Sequence, residues 1–367
     1  MPLQAVVRSR ERIHVSQIVN LTEYQVAPLV STDHEGRWQV TVTVKASYAW
    51  DQTGAAIPID ALPILLADEF AGEPASSGLL RASEVLQPKP KPDVLLAGAI
   101  VFARPITEID VELIVGTRLR KRARVFGDRI WQPGIAADLA PSRPRPVTRV
   151  PIAWERCYGG SDPVDAKRSD PRNPAGSGVV RDPKTLHGKP APNFEDPRNL
   201  LPARLTRPAP IGFGPIAAHW QQRLALAGTY DEAWEKSRRP LCPEDFSPKY
   251  FNLAPLDQQL DGYVPGEEMR LVNLTTATHD RIRLPSLKVP VTVATSEVLD
   301  ETTAVVDTVI IEPEERRLSL LARVQVVLDQ GPMSLGRIVI GALTRATRKA
   351  VEKRKPCRWP ARRGKVG

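Results

Sequence analysis

Residues 37–50, RWQVTVTVKASYAW, form the stretch of sequence that decides the fold. Apolar and polar side chains alternate along it, which is the two-residue period of a β-strand. One face would carry the apolar side chains Trp38, Val40, Val42, Val44, Ala46, Tyr48 and Trp50. The opposite face would carry Gln39, Thr41, Thr43, Lys45 and Ser47. We therefore predict a strand with one buried and one solvent-exposed face, ended by turn residues at 51–54.

Further strand patterns occur in the N-terminal part of the chain and near its C-terminus. DVLLAGAIVFA at 93–103 is a second strand candidate, and residues 111–131 predict a hairpin around Gly116. Near the C-terminus, VDTVII at 306–311 and RRLSLLARVQVVL at 316–328 flank EPEE, where Pro313 suits a type I turn. These patterns predict a mainly β fold, in which antiparallel strands pack as one β-sandwich or as two. Long proline-rich loops and a few short helices would join the strands.

The middle of the chain is rich in proline, with 15 of the 36 prolines falling within residues 141–215. Such a stretch is commonly a disordered linker. Here it is interleaved with Trp154, Tyr158 and Phe194, which a solvated linker does not need, so we predict an ordered loop wrapped on the strands. Short helices are expected within 215–228, where Pro215 suits a helix start, and 231–239.

Charge and composition narrow the class of protein. The formal net charge is +9, but residues 337–367 hold eleven Lys/Arg and one Glu, so the preceding residues are nearly neutral. We expect a β-rich domain over 1–336, with a possible subdivision near 140–215, and a basic tail over 337–367. This local charge disfavours nucleic acid as a partner. Three scattered cysteines and the absence of an apolar export signal or membrane-length run predict a cytoplasmic protein with reduced thiols.

Motifs for chemistry are weak. GFGPIA at 212–217 matches the glycine pattern of a dinucleotide-binding loop, but no apolar strand precedes it, so no cofactor is expected. The five histidines show no metal-ligand spacing, so no metal is expected. In WERCYGGSDP at 154–163, Cys157 could serve as a thiolate nucleophile, and Glu155 with Glu195 could serve a glycosidase. We favour a structural role instead: alternation places Ile152, Trp154 and Arg156 on one face of a strand that ends at Gly159-Gly160.

Several short motifs, taken in order, resemble one family. They are QPKPKPDVLLAGAI at 87–100, VFGDRIW at 125–131, WERCYGG at 154–160, NPAGSG at 173–178, PNFEDP at 192–197, GFGPI at 212–216, W-x-x-R at 220–223, GTYDEAW at 228–234, RRPLCPEDF at 238–246, FNLAPLDQQ at 251–259 and LPSLKVP at 284–290. On these motifs the chain resembles the bacterial domain of unknown function 2169 family over roughly residues 15–330. Cys157 departs from the family pattern, which more often has a small residue there.

The resemblance implies a type VI secretion adaptor-chaperone that helps load an effector toxin onto the VgrG spike, often through a PAAR-type tip. It implies no enzymatic activity, and its partners would be the effector and the VgrG/PAAR spike proteins. The family-motif candidates for partner binding are Trp154, Glu155, Arg156, Tyr158, Gly159, Gly160, Asn173, Gly176, Asn193, Glu195, Trp220, Arg223, Tyr230, Trp234, Asp257 and Gln258. Trp131 and Arg172 are further interface candidates, since aromatic and arginine side chains often dominate interfaces.

The alternative is a hydrolase acting on carbohydrate or cell-wall fragments. Its carboxylates would be Glu155, Glu195 or Asp257, and two of them should face each other across a cleft about 5–10 Å wide.

Overall fold

The computed structural model describes residues 18–134, 139–162, 164–165, 167–201, 207–295, 299–328 and 331–345. The strands are β1 (Ile18–Asn20), β2 (Gln25–Thr32), β3 (Trp38–Trp50), β4 (Ala56–Ile59), β5 (Glu69–Phe70), β6 (Leu79–Arg81), β7 (Asp93–Leu96), β8 (Ala99–Ile106), β9 (Glu108–Val115), β10 (Leu119–Phe126), β11 (Trp131–Pro133), β12 (Leu139–Pro141), β13 (Val147–Pro151), β14 (Tyr158–Gly159), β15 (Ser177–Gly178), β16 (Phe194–Glu195), β17 (Glu268–Val272), β18 (His279–Arg283), β19 (Val289–Thr295), β20 (Leu299–Glu312), β21 (Arg317–Val327) and β22 (Leu335–Ile340). The α-helices are α1 (Gln221–Leu224) and α2 (Glu232–Ser237). With strands far outnumbering helices, the mainly β prediction is confirmed.

The larger sheet has nine strands and is nearly closed. Its main path runs β1-β22-β19-β20-β21-β3-β2, with β4 beside β3 and β7 beside β20. The two outer strands of this path, β1 and β2, are consecutive in the chain and joined only by residues 21–24. Long β20 pairs with β19 through its first half and with β21 through its second, with a register shift at Val306/Thr308. Such an irregularity bends a strand, so β20 turns the corner of the barrel-like sheet.

The smaller sheet has five strands in the order β16-β10-β9-β17-β18, all antiparallel. Its β9–β10 hairpin and the β20–β21 hairpin confirm the turns predicted at Gly116 and Pro313. Val42 of the larger sheet, Leu113 of the smaller sheet and Trp154 of the middle loops belong to one hydrophobic cluster. The two sheets therefore pack around a shared core.

The prediction of a solvent-exposed face on β3 is wrong. Gln39, Thr41, Thr43, Lys45 and Ser47 are all buried. The reason is that the chain after β4 returns over this face and satisfies its polar groups. Lys45 Nζ donates to the carbonyl of Pro63 at 3.0 Å, and Ser47 Oγ accepts from the amide of Leu62 at 3.1 Å.

Where the structure describes the middle region, the loops pack on the strands as predicted, with Trp154, Tyr158 and Phe194 buried. The helices expected at 215–228 and 231–239 are shorter than their patterns suggested, since α1 spans only Gln221–Leu224 and α2 spans Glu232–Ser237. The strand β22 continues to Ile340, beyond the expected domain end at 336. The remainder of the basic tail after 345, with Cys357, lies outside the described residues. Within the described parts of the chain, no helix has the length and apolarity needed to span a membrane.

Candidate functional site

The WERCYGG segment begins with a short 3₁₀ helix at Trp154–Arg156, so the strand predicted here is wrong. The helical turn lets Trp154 point into the core, where its Nε1 donates to the carbonyl of Pro215 at 2.8 Å and its ring meets Trp220 edge-on. The chain then becomes extended in β14, which pairs in parallel with β15. Tryptophan burial and a backbone hydrogen bond thus fix the position of the turn.

Asn173 holds this turn to the loop that follows it. Its buried side-chain Nδ2 donates to the backbone carbonyls of Trp154 at 2.9 Å and Tyr158 at 3.0 Å. The backbone carbonyl of Asn173 accepts from the amide of Gly160 at 2.8 Å. Gly159 has φ +142° and packs against Asn173 so closely that a Cβ would lie 2.3 Å from the Asn173 carbonyl oxygen. The asparagine and the glycine are therefore matched parts of one rigid loop.

A second anchor ties the segment to the end of β10. Arg156 Nη1 donates to Asn193 Oδ1 at 3.0 Å and to Asp128 Oδ1 at 3.2 Å. Asn193 Nδ2 in turn donates to the carbonyl of Phe126 at 3.0 Å. Glu195 is buried and pairs with Arg129. These contacts leave Arg156 held in place but half-exposed.

Beside this scaffold lies a cleft of about 480 Å³, which we call the loop cleft. Its walls include Arg156, Gly160, Ser161, Ala175, Gly176, Ser177, Gly178, Val179, Val180, Thr185, Leu186, Lys189, Pro190 and Ala191. Leu186 and Ala191 pack with Trp131 and Val180 in a small hydrophobic cluster, which makes the floor of the cleft apolar.

Polar groups of the loop cleft are largely engaged within the protein. Ser177 Oγ accepts from Trp131 Nε1 and donates to the carbonyl of Pro190, both at 2.8 Å. Ser161 Oγ lies 2.8 Å from Ser169 Oγ. Arg156 and Lys189 supply two positive charges at the rim against the one carboxylate of Glu155, which also lines the cleft, and Lys189 is exposed. A cleft with an apolar floor and a basic rim suits a peptide segment that carries apolar and acidic side chains.

The predicted nucleophile is buried. Burial raises the pKa of the Cys157 thiol far above its ordinary value, although the nearby charge of Lys121 opposes the shift. The Sγ donates to the carbonyl of Ile211 at 3.1 Å. A buried, protonated thiol is a poor nucleophile.

The three hydrolase carboxylates make separate structural contacts. Glu155 Oε1 accepts from the amide of Gly78 at 2.5 Å. Glu195 is ion-paired with Arg129, and its Oε2 accepts from the amide of Leu201 at 2.7 Å. Asp257 accepts from Lys121 Nζ at 2.9 Å.

The later family-motif residues divide into a buried set and an exposed pair. Trp220, Arg223 and Gln258 are buried. Arg223 Nη1 donates to the carbonyl of Ile216 at 2.8 Å, and Gln258 Nε2 donates to the carbonyls of Val94 at 2.7 Å and Phe213 at 3.0 Å. In contrast, Tyr230 is 42% exposed and stacks edge-on against half-buried Trp234 with ring centroids 4.7 Å apart.

The remaining candidates for partner binding lie within or beside the middle loops. Trp131 and Tyr158 are buried, and a Cβ on Gly178 would lie 2.6 Å from the Tyr158 ring, so Gly178 and Gly176 let this ring and the neighbouring loop approach closely. Arg172 is half-buried; its Nε and Nη2 donate to Asp170 at 2.9 and 2.7 Å. The two buried aromatics contribute to the core beneath the cleft.

Sequence reasoning missed three residues that matter to this region. Lys121 lies inside the smaller sheet, where its Nζ donates to Gln258 Oε1 at 2.7 Å, and Arg129 carries the charge that balances Glu195. Both fall in the stretch 111–131, for which the sequence predicted only a hairpin. The period-two pattern of residues 119–125 does place Lys121 among the inward side chains, which was the available signal. Lys189 stands in a proline-rich loop without any such signal.

The fold and the cleft define a mainly β protein that builds a rigid surface cleft from loops held by buried asparagine, arginine and tryptophan side chains. A family model described as "Uncharacterized protein conserved in bacteria (DUF2169)" matches residues 35–323, and the chain belongs to this family. No curated protein and no solved structure shows a significant match. Among the described residues, no group of three or more His, Cys, Asp or Glu side chains is arranged to hold a metal ion.

Proposed function

We propose that this protein is a non-enzymatic adaptor-chaperone of type VI secretion, which binds an effector toxin and helps load it onto the VgrG/PAAR spike. The family resemblance described above suggests the system. The observation that carries the proposal on this chain is the loop cleft, which the family-motif residues of 154–160 and 173–178 build together.

Rigidity supports a binding role. Because Asn173 and Arg156 already fix the 154–160 side of the cleft through hydrogen bonds, little conformational entropy of that side remains to be lost when a segment docks. The apolar floor at Leu186 and Ala191 would accept apolar side chains, while Lys189 at the rim would attract acidic ones. An effector segment with both kinds of side chain fits this surface.

The hydrolase alternative gains no support from the geometry. Glu195 and Asp257 each pair with their own cation, and Glu155 is bound to a backbone amide. A retaining or inverting glycosidase needs two carboxyl groups free to act on one bond from opposite sides.

The test is co-expression with the toxin and spike proteins encoded beside the gene. We expect the tagged protein to capture one toxin and to raise the soluble fraction of that toxin. The variant Lys189→Glu, which reverses charge at the rim, should weaken capture, whereas Lys249→Glu, an exposed charge reversal elsewhere, should not. If no neighbouring toxin or spike protein were captured and none gained solubility, the proposal would fail.

A further inference from the structure

The smaller sheet has an exposed outer face that the loop cleft does not use. Strict alternation buries Met269 and Leu271 of β17 and exposes Glu268 and Arg270. In the same way, β18 buries Asp280 and Ile282 and exposes its other three side chains, His279, Arg281 and Arg283. Arg270, His279 and Arg281 line a second cleft of about 530 Å³, together with Asp110, Glu112, Arg120 and Arg122 of β9 and β10 and with the buried Asp280.

The β9–β10 half of this face is balanced in charge. Arg120 Nη2 lies 3.1 Å from Glu112 Oε1, and Arg124 Nε lies 2.7 Å from Asp110 Oδ1. Arg122 also contacts Asp110. Three guanidinium groups are therefore committed to carboxylates on the neighbouring strand.

In the β17–β18 half of this face, positive side chains outnumber negative ones. Three outward arginines, Arg270, Arg281 and Arg283, stand against one outward glutamate, Glu268. Arg270 and Arg281 lie directly opposite each other in the strand register, an arrangement in which like charges destabilise a sheet. Arg270 reaches Glu268 only at 3.6 Å, and Arg281 makes no side-chain hydrogen bond or ion pair with any residue that the structure describes. This half of the face therefore carries a net positive charge, although Glu268 lies opposite Arg283 in the register.

We propose that the outer face of β17 and β18 docks an acidic polypeptide segment of a partner protein, in an extended conformation. Arg281 and Arg283 are two residues apart on one strand, so their side chains repeat at about 6.6 Å. An extended peptide presents every second side chain at the same repeat, and each carboxylate can pair with a guanidinium through two parallel hydrogen bonds.

Charge on the opposite wall distinguishes a polypeptide from a nucleic acid. On the β9 side of the second cleft, Asp110 and Glu112 already pair with the neighbouring arginines, so a continuous row of phosphates would gain little attraction there. A peptide with separate carboxylates can place them against β17 and β18 alone. This inference goes beyond the proposed function, because it requires an acidic segment and does not require that the partner be an effector.

The experiment uses the full chain with Val272 replaced by the photo-crosslinking amino acid p-benzoylphenylalanine. Val272 lines the second cleft between Glu112 and His279 in the strand register. The probe is a labelled peptide of about eight Glu-Ser repeats. We expect a crosslink that falls about tenfold when Arg270→Glu and Arg281→Glu are combined, and about threefold in Arg281→Gln alone. The matched charge reversal Lys249→Glu should leave the crosslink unchanged.

Three results would overturn the assignment. The first is absence of a crosslink at position 272. The second is a crosslink whose yield in folded Arg281→Gln and in the double variant equals the yield in the protein without these substitutions. A single-stranded oligonucleotide of equal charge that crosslinks as well as the peptide would assign the face to nucleic acid instead. Circular dichroism of each variant checks folding, and Arg281→Gln remains a test if the double variant does not fold. Failure here leaves capture of a toxin by the loop cleft unaffected.

Discussion

At the scale of single residues, the protein differs most from its sequence pattern in its buried charges. Lys45 is 1% exposed and its Nζ lies 2.7 Å from Glu84 Oε1. Lys89 is likewise buried against Asp93 at 2.7 Å, and burial lowers the pKa of Lys89 although both Asp93 and Asp307 oppose the shift. A lysine at a strand position ordinarily faces water, so the burial of Lys45 could not be predicted from local alternation. Its partner Glu84 lies 39 residues further along the chain, whereas Lys89, outside any strand, pairs with a residue only four positions away.

We predict that Lys45→Met lowers the free energy of unfolding by about 3–5 kcal/mol, because it leaves Glu84 buried without its cation. The double variant Lys45→Met/Glu84→Gln should recover part of this loss, since the neutral amide still accepts from the amide of Leu65. Urea unfolding of the three proteins measures the difference. A double variant less stable than the single variant would contradict this explanation.

Glu312 makes stability depend on pH. Burial alone would raise the pKa of Glu312, but hydrogen bonds from Arg317 at 2.6 and 3.0 Å, with the charges of Arg317 and Arg81, hold it below its usual value of 4.5. The unfolded chain therefore binds this proton more readily than the folded protein does. The stabilisation is present above pH 4.5 and is lost as the pH falls through the lowered pKa of the folded state.

We accordingly expect Glu312→Gln to be less stable than the unmodified protein at neutral pH, by about 1–3 kcal/mol, and this gap to narrow as the pH falls from about 6 to about 3. The control is Glu232→Gln on exposed α2, which should cost little at any pH. Unfolding midpoints measured at several pH values check the prediction. A gap that widened in acid would reverse the sign required by the lowered pKa.

At the scale of elements, the loops of the middle region behave as folded structure because side-chain amides replace strand pairing. We predict that Asn173→Ala, which removes both donors to the carbonyls of Trp154 and Tyr158, costs about 2–4 kcal/mol. It should also make residues 157–178 sensitive to limited proteolysis. Gln222→Ala, on an exposed side chain outside this loop, is the comparison variant and should cost little. Equal resistance of Asn173→Ala and the unmodified protein to protease would show that the loop does not depend on this amide.

Elements defined by local signals were predictable from the sequence, and elements defined by distant contacts were not. The hairpins around Gly116 and Pro313 combine alternation with turn chemistry, and both form. Side chains alternate along 152–156 as in a strand, yet residues 154–156 form a 3₁₀ turn. The contact of Trp154 with the carbonyl of Pro215 determines the backbone conformation there. The loop cleft depends on residues 156 to 191 meeting in space, which spacing along the chain does not encode.

At the scale of the whole molecule, two sheets and the middle loops share one core, and the nine-stranded sheet nearly closes on itself. The loop cleft and the outer face of β17 and β18 lie on the surface of this arrangement. The mainly β character followed from periodicity alone. The near-closure did not, because it depends on β22 returning to pair with β1 in parallel at the other end of the chain.

The most direct test of the central claim, that the loop cleft holds an effector, is amide hydrogen exchange on the complex with the captured toxin. We expect amides within residues 176–191 to exchange more slowly in the complex than in the free protein, and this protection to be reduced in Lys189→Glu at equal toxin concentration. A stable complex in which residues 176–191 exchange at the same rate as in the free protein would contradict the account.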